Sequence, residues 1–199
     1  SSLYLDIIKD RLYCDGKESA SRRSAQSALW MILDAMTKVF APILAFTCDE
    51  IWLQMPHRTE DDHRNIVLNQ MTKPYADYAL PETDMAAWDA AFRVRSDVNG
   101  VLETARADKR IGKSLEAHVA LFADDDAAKA ALDAVKAIDL PEIFIVSNVS
   151  TDEAAPAEGA VVENGVNFPG LRVAVSEAKG TKCPRCWMHS ETPDEHGLC

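Results

Sequence analysis

Residues 21–56 read SRRSAQSALWMILDAMTKVFAPILAFTCDEIWLQMP and predict two consecutive helices. In the first, over about 21–40, apolar side chains recur every three or four residues and form one stripe. The proline that follows breaks this helix, because proline lacks a backbone N–H and its ring clashes with the preceding turn. Thr47 and Glu50 then form a capping box that opens the second helix. The predicted buried stripe of the first helix consists of Leu29, Ile32, Leu33, Met36 and Phe40.

Two further segments with helical periodicity flank this stretch. Residues 3–13, LYLDIIKDRLY, place apolar side chains at helical spacing, and an Asp-Gly pair follows as a stop signal. Residues 83–110 form the longest predicted helix. Four amphipathic helices can bury their stripes against one another, so residues 1–117 are predicted to form an antiparallel helix bundle.

The periodicity changes after the bundle. HVALF at 118–122 alternates, 124–137 is helical, and EIFIVSNV at 142–149 and LRVAVSEA at 171–178 are typical of strands. We therefore predict a mainly α chain in three parts. The helix bundle of residues 1–117 is followed by a small α+β unit at 118–178 and a zinc-knuckle tail at 179–199.

The charge of this 199-residue chain is uneven along its length. Its net charge of −11 argues against a uniformly basic surface for nucleic acid. Residues 92–118 nevertheless hold six basic and four acidic side chains, whereas 119–170 hold two basic and ten acidic ones. A polyanion is therefore expected to meet the first helices, the 92–118 stretch or the tail, and to avoid 119–170.

The apolar segments and cysteines indicate a compartment. Charges interrupt every apolar run, so no membrane span is predicted, and the first residues lack the pattern of a signal peptide. The chain starts abruptly in a helical pattern, as expected of a piece of a longer protein. Two isolated cysteines and three clustered near the end favour a reducing, cytoplasmic setting with one metal site over a disulfide framework.

The clustered cysteines predict a structural zinc site. Cys183 and Cys186 form a C-x-x-C pair, which lets two thiolates bind one tetrahedral ion, and Cys199 adds a third. The alternative is a redox-active pair, whose usual βαβ setting is not predicted here. The fourth ligand stays open between His189, His196 and a cysteine beyond residue 199.

Basic side chains form two candidate anion sites. Arg22 and Arg23 start a helix, where positive charge opposes the helix dipole, so they indicate either an external phosphate or a surface salt bridge. Four other cations have the spacing of one helix face, which predicts either a ridge along a phosphate backbone or a face neutralised by nearby carboxylates. They are Arg106, Lys109, Arg110 and Lys113.

Several segments, in the same order along the chain, resemble bacterial isoleucyl-tRNA synthetases, a family of class I aminoacyl-tRNA synthetases. Residues 1–14 (SSLYLDIIKDRLYC) and 22–52 resemble the family's anticodon-binding helical bundle. Residues 94–122, VRSDVNGVLETARADKRIGKSLEAHVALF, resemble the segment that follows it. KCPRCW at 182–187 is similar to the opening of its C-terminal zinc-binding domain.

The resemblance implies the tRNA-recognition part of an ATP-dependent isoleucine–tRNA ligase. HIGH and KMSKS are absent, so no catalytic residue is expected, and ATP and magnesium belong to a catalytic domain outside this sequence. It also implies cytoplasmic location, a monomer, and a fourth zinc cysteine past residue 199, with the histidines as fallback ligands. The implied partner is isoleucine tRNA, with contacts from Lys9, Arg11, Tyr13, Arg22, Arg23, Arg106, Lys109, Arg110, Lys113 and Trp187.

Two other functions remain as alternatives. The acidic balance suits a protein-interaction domain in which zinc is purely structural. The cysteine segment is also similar to the zinc finger of formamidopyrimidine-DNA glycosylases, which favours, more weakly, a DNA-binding finger. Loss of tRNA binding with retained folding on alanine substitution of Arg22 and Arg23 would favour tRNA recognition over protein interaction, and tighter binding of duplex DNA than of tRNA would favour the DNA-binding finger.

Overall fold

The computed structural model describes residues 2–199 and contains two compact units. One unit is Asp10–Ala79, and the other combines the residues up to Lys9 with Leu80–Cys199. The first helical segment is divided into α1 (Ser2–Ile7) and α2 (Lys9–Tyr13). The predicted boundaries at residues 117 and 178, and the closure of one four-helix bundle, stay predictions.

The unit Asp10–Ala79 contains α3 (Ala20–Phe40) and α4 (Ala45–Gln54), with 3-10 turns at Ile66–Leu68 and Ala76–Tyr78. Ser19 caps α3, since its side chain accepts a hydrogen bond from the Arg22 N–H. The small apolar core consists of Ala41, Cys48, Trp52 and Ile66. α3 and α4 therefore pack together around one buried indole.

The predicted stripe of α3 is not the face that this unit buries. Ile32, Leu33, Met36 and Phe40 are 40–51% exposed. The buried positions of the helix are Ala25, Asp34, Thr37 and Lys38. This face contains charged side chains. It can be buried because Lys38 forms ion pairs with Asp34 and Asp61, which offset the cost of removing these charges from water.

The second unit is built on α5 (Glu82–Ala107), whose buried side chains belong to the largest apolar core. Val98, Val101 and Leu102 are buried, whereas Met85, Trp88 and Phe92 near the start of the helix are 36–57% exposed. A 3-10 turn at Ser114–Glu116 follows. The helix thus contributes to the core from Ala91 onwards.

A four-stranded sheet in the order β2-β1-β4-β3 packs against α5. Its strands are β1 (Ala117–Ala123), β2 (Asn148–Ser150), β3 (Val161–Asn164) and β4 (Leu171–Glu177). β1 pairs parallel with β2 and antiparallel with β4, and β3 pairs antiparallel with β4. Val119 and Leu121 of β1 join the main core, while Ala120 and Phe122 lie in a separate cluster, as alternation along a strand requires.

The segment 142–149 differs from its predicted strand. α6 (Asp126–Ala134) is followed by α7 (Leu140–Phe144), and only Asn148–Ser150 is extended. Asp139 caps α7 by accepting a hydrogen bond from the Glu142 N–H, and a proline stands in the first turn. These helix-start signals outweigh the strand preference of the apolar residues that follow. Of the described helices, none is both long and apolar enough to cross a membrane.

Candidate metal centre and nucleic-acid interface

The thiol hairpin, Thr181–Ser190, presents the C-x-x-C pair at its tip. β5 (Thr181–Lys182) pairs antiparallel with β6 (His189–Ser190). Between them the Cys183 N–H donates to the Met188 carbonyl at 2.8 Å, and the Trp187 N–H donates to the Cys183 carbonyl at 3.0 Å. The reversal is tight enough to hold Trp187 at a φ of 69°. Strand pairing thus sets the spacing of the first two thiols.

A second turn brings the last cysteine back to the hairpin. The Asp194 side chain accepts hydrogen bonds from the His196 and Leu198 N–H groups, each at 2.8 Å. The Asp194 N–H donates to the Leu198 carbonyl, also at 2.8 Å, and Gly197 has a φ of 74°. As a result, the Cys186 and Cys199 sulfur atoms lie 3.2 Å apart.

The three sulfur atoms form a cluster that fits a tetrahedral ion. The Sγ atoms of Cys183, Cys186 and Cys199 all lie within 4.8 Å of one another. Zinc–sulfur bonds of about 2.3 Å in a tetrahedron place sulfur atoms about 3.8 Å apart, so small shifts would satisfy this geometry. Among residues 2–199, neither His189 nor His196 joins the cluster. The candidate donors among the described residues are therefore these three thiols.

The surroundings lower the pKa of one of these thiols, and the thiolate is the form that binds metal. Backbone N–H groups of Cys186 first, and then of Cys199 and Arg185, lower the pKa of Cys183 to about 6, against a smaller opposing effect of burial. Burial first, and then the neighbouring sulfur atoms, raise the pKa of Cys186 to about 12. The pKa values of these two neighbouring thiols are thus shifted in opposite directions. A divalent cation would favour the thiolate form of these cysteines and offset most of the thiolate charge.

The thiol hairpin is attached to the sheet and to the turn before β1. The His189 N–H donates to Ser147 Oγ at 2.7 Å, and Ser147 Oγ donates to the Leu115 carbonyl at 2.5 Å. Lys182 Nζ lies 3.7 Å from a Glu116 carboxylate oxygen. The Lys113 backbone N–H first, and then the Gly112 N–H and Lys182, lower the pKa of Glu116 against its partial desolvation. These contacts join the hairpin to the sheet and to the turn before β1.

Two predicted RNA contacts meet at this junction. Lys113 Nζ lies 5.5 Å from the centre of the Trp187 ring, a cation–π contact, and Trp187 is 55% exposed. The structure therefore brings together a cation from the 92–118 stretch and an indole from the tail, which are 74 positions apart in the sequence.

The four cations near the end of α5 do not share one helix face. α5 ends at Ala107, and Lys109 has a φ of 58°, so the chain leaves the helical path there. Arg106 is hydrogen-bonded to Glu103 and Ser114. Arg106, Lys109 and Arg110 instead line an open cavity of about 510 Å³ together with Glu116 and Glu177.

The predicted RNA contacts near the N-terminus are divided between the two units. Lys9 pairs with Asp6 at 2.5 Å in one unit. In the other, Arg22 Nη1 donates to the Asp15 carbonyl at 3.2 Å, and Arg23 pairs with Glu18 at 2.9 Å. Tyr13 is 76% exposed. A surface salt bridge, one of the two explanations for Arg22 and Arg23, is present for Arg23.

Sequence reasoning missed a group of aromatic and basic residues in the unit Asp10–Ala79. Trp30, Arg58, Tyr75 and Tyr78 line one open cavity with Arg23. Trp30 lies just outside the predicted apolar stripe, and the other three occupy loop segments without periodicity. The three-residue spacing of the tyrosines was the only sequence signal that could have pointed to them.

Comparison with known proteins identifies the first part of this chain. Residues 1–121 match the family described as the anticodon-binding domain of tRNA ligase. The chain belongs to this anticodon-binding family. The match covers more than half of its residues, and it includes the unit Asp10–Ala79 and all of α5.

Several relatives of this chain are isoleucine–tRNA ligases. The ligase of Thermoanaerobacter sp. is 40% identical over 196 residues, which are 96% of this chain and 20% of the relative. That of Syntrophotalea carbinolica is 42% identical over 204 residues, 100% of this chain and 21% of the relative. That of Klebsiella pneumoniae is 40% identical over 190 residues, 95% and 20% respectively. The chain thus spans about a fifth of the length of these relatives.

Proposed function

We propose that this chain is the tRNA-recognition portion of an isoleucine–tRNA ligase and binds the anticodon stem-loop of isoleucine tRNA. The observation that carries the proposal is 40% identity to an isoleucine–tRNA ligase over 96% of the chain. Attachment of isoleucine with ATP and magnesium is assigned to a catalytic part outside these residues. A cytoplasmic monomer remains the expected state.

The proposed RNA contacts divide by chemistry. Lys9, Arg11, Arg22 and Arg23, with Arg106, Lys109, Arg110 and Lys113, are proposed to hold phosphates, because backbone charge dominates nucleic-acid affinity. Tyr13 and Trp187 are proposed to stack on unpaired bases, as aromatic side chains do in RNA loops. The exposed fractions of their side chains, 76% and 55%, support this role.

We expect removal of the two arginines at the start of α3 to weaken tRNA binding without unfolding the chain. In the Arg22→Ala, Arg23→Ala double variant, two phosphate contacts are lost. The negative slope of log affinity against log salt should therefore become shallower by about 2. Fluorescence anisotropy with isoleucine tRNA, measured over a salt series, gives this slope. Unchanged circular dichroism is the folding control. Equal affinity of the parent chain for tRNAs with unrelated anticodons would contradict the proposed function.

We also propose that Cys183, Cys186 and Cys199 hold a structural zinc ion, with a fourth ligand from outside this trio. The support is the sulfur cluster, all within 4.8 Å, and the thiol hairpin that shapes it. Structural zinc sites of this kind bind four thiolate or imidazole ligands, and they contribute their binding energy to folding. The ion would stabilise the tail against the sheet, and no chemical step is assigned to it.

Cobalt substitution tests the zinc site. We expect about one Co²⁺ per chain, with thiolate-to-cobalt charge-transfer absorption, and Cys183→Ser should abolish that absorption. Binding should strengthen as pH rises, because the Cys186 thiol, with its pKa raised to about 12, must lose a proton to the solvent. Cys14→Ser is the matched control, since Cys14 lies outside the cluster. Equal absorption from the Cys183 and Cys14 variants would rule out this ligand set.

A further inference from the structure

The cavity missed by sequence reasoning has the composition of a base-binding site. It has a volume of about 570 Å³ and lies entirely within the unit Asp10–Ala79. We name it the aromatic pocket and define it by Arg23, Trp30, Arg58, Tyr75 and Tyr78. Its three rings come from α3, from the segment after Ile66–Leu68, and from the second 3-10 turn.

Hydrogen bonds and ring contacts hold these side chains in place. Trp30 Nε1 donates to the Pro56 carbonyl at 2.8 Å, which fixes the indole edge. The Arg58 guanidinium lies 4.7 Å from the centre of the Trp30 ring. Tyr75 and Tyr78 meet edge to face with ring centres 6.2 Å apart. A ligand would therefore meet surfaces that are already arranged, which reduces the entropy lost on binding.

Tyr78 is the ring that remains available to a ligand. Its side chain is 70% exposed, whereas Tyr75 and Trp30 are half-buried. Tyr75 contacts Tyr78 edge to face, and the 70% exposure of Tyr78 leaves most of its phenol ring open to solvent. The Tyr78 ring and the Arg58 guanidinium line the same cavity and provide two stacking surfaces for a flat ring.

The charged side chains that line the pocket are cations, and each also faces a carboxylate outside the lining, Glu18 for Arg23 and Asp34 for Arg58. The chain has a net charge of −11, yet the described residues that line the pocket include two arginines and no carboxylate. Arg23 pairs with Glu18 at 2.9 Å, and the two side chains are 65% and 70% exposed. Such exposed pairs contribute little free energy, so a phosphate can replace the carboxylate at low cost.

We propose that the aromatic pocket binds one unpaired nucleobase of a single-stranded RNA segment. The base stacks on the open face of Tyr78 and on the Arg58 guanidinium, and Arg23 holds the adjacent phosphate. Aromatic rings and guanidinium planes are the surfaces on which proteins stack splayed RNA bases. The proposal rests on the proposed function, because it places one base of the recognised RNA on the unit Asp10–Ala79.

Substitution of Tyr78 tests the pocket in the full 199-residue chain. The probe is a fluorescein-labelled RNA hairpin carrying the isoleucine anticodon, and affinity is measured by anisotropy at fixed salt. Tyr78→Ala should weaken binding about 5- to 150-fold, the usual loss for one stacked base. Tyr78→Phe keeps the ring and should bind like the parent chain. Phe46→Ala is the matched control, because Phe46 is 90% exposed in the same unit and outside the pocket.

Crosslinking locates the contact independently of affinity. Hairpins with 5-iodouridine at single loop positions are irradiated with the chain, and the crosslinked peptide is sequenced. A crosslink at Tyr78 or Tyr75 from one loop position supports the proposal. Crosslinks confined to other parts of the chain overturn it.

The outcomes separate this inference from the proposed function. If Tyr78→Ala binds the hairpin like the parent chain while the Arg22, Arg23 variant does not, the pocket proposal fails and the function stands. If the parent chain binds a uridine hexamer through Tyr78 but not the hairpin, the function fails and the pocket stands. If it binds neither RNA, both fail. If the chain binds a proline-rich peptide more tightly than RNA, and Tyr78→Ala abolishes that binding, the RNA assignment is overturned.

Discussion

Replacing Asp97 by alanine is expected to lower the free energy of unfolding of the unit that contains α5 by about 3–5 kcal/mol. Asp97 is 5% exposed. Its Oδ1 accepts hydrogen bonds from the backbone N–H groups of Val166 and Asn167 at 3.0 and 2.9 Å, and from Asn167 Nδ2 at 2.8 Å. Its Oδ2 accepts from the Phe168 N–H at 3.1 Å. One carboxylate thus satisfies four donors of the loop between β3 and β4.

The loop is built closely around this carboxylate. A Cβ atom at Gly165 would lie 2.4 Å from Asp97 Oδ2 and 2.7 Å from the Phe168 carbonyl oxygen, so no side chain fits there. Without the carboxylate, the donors must reach water or remain unpaired, and an unpaired buried donor costs about 1–3 kcal/mol. Because Asp97→Ala causes several such losses, we expect it to have the largest effect of any single polar substitution in the unit that contains α5.

Urea denaturation followed by circular dichroism measures the change. Asp97→Asn keeps one acceptor oxygen and should lose roughly half as much free energy as Asp97→Ala. Asp89→Ala is the matched control on the same helix, because Asp89 is exposed and surface substitutions usually stay within about 0.5 kcal/mol. A loss below about 1 kcal/mol for Asp97→Ala would show that the loop is held by other contacts.

Replacing Lys38 by methionine is expected to destabilise the unit Asp10–Ala79 by about 3–5 kcal/mol. Lys38 Nζ lies 2.8 Å from the fully buried Asp34 carboxylate and 3.5 Å from Asp61. It also lies 5.1 Å from the centre of the Trp52 ring. Among the described residues, the Asp34 oxygens have no hydrogen bond of normal angle, and the next cation, Arg58, is 3.9 Å away. Removing Lys38 therefore leaves a buried carboxylate with little compensation.

The double variant Asp34→Leu, Lys38→Met separates the cost of a broken pair from its net value. Replacing a whole buried pair by apolar side chains is often neutral, so the double variant should recover most of the loss. Lys73→Met, at an exposed position of the same unit, is the control for a lost surface charge. Urea denaturation gives all three values. A double variant no more stable than Lys38→Met would show that Asp34 has a further role.

Local signals predicted much of the secondary structure. The predicted helix at 83–110 is α5 (Glu82–Ala107), and the strand predicted at 171–178 is β4 (Leu171–Glu177). Helix and strand periodicities are local properties, so they can be recognised from neighbouring residues alone. The strand predicted at 142–149 was wrong for residues 142–144, because a capping aspartate and a proline start α7 there, and only the end of the segment lies in β2.

The candidate sites were predicted in part. The C-x-x-C pair and Cys199 were named from spacing, and the structure clusters them within 4.8 Å. The ridge of four cations was not found, because a left-handed residue, Lys109, ends the helical path. The aromatic pocket was missed, since its rings are separated by loops whose course depends on the Trp30–Pro56 hydrogen bond and on packing around Trp52.

The sequence alone determined the helical segments, the cysteine trio and the family to which the chain belongs, because each depends on residue type and short spacing. Only the tertiary structure decided that α3 buries Asp34 and Lys38 while leaving Ile32 and Met36 exposed. It likewise decided that the Cys199 sulfur atom lies close to that of Cys186 and that Lys113 contacts the Trp187 ring. These outcomes join distant positions, and their energies depend on the paths of the intervening loops and on the charges that pair when the chain packs.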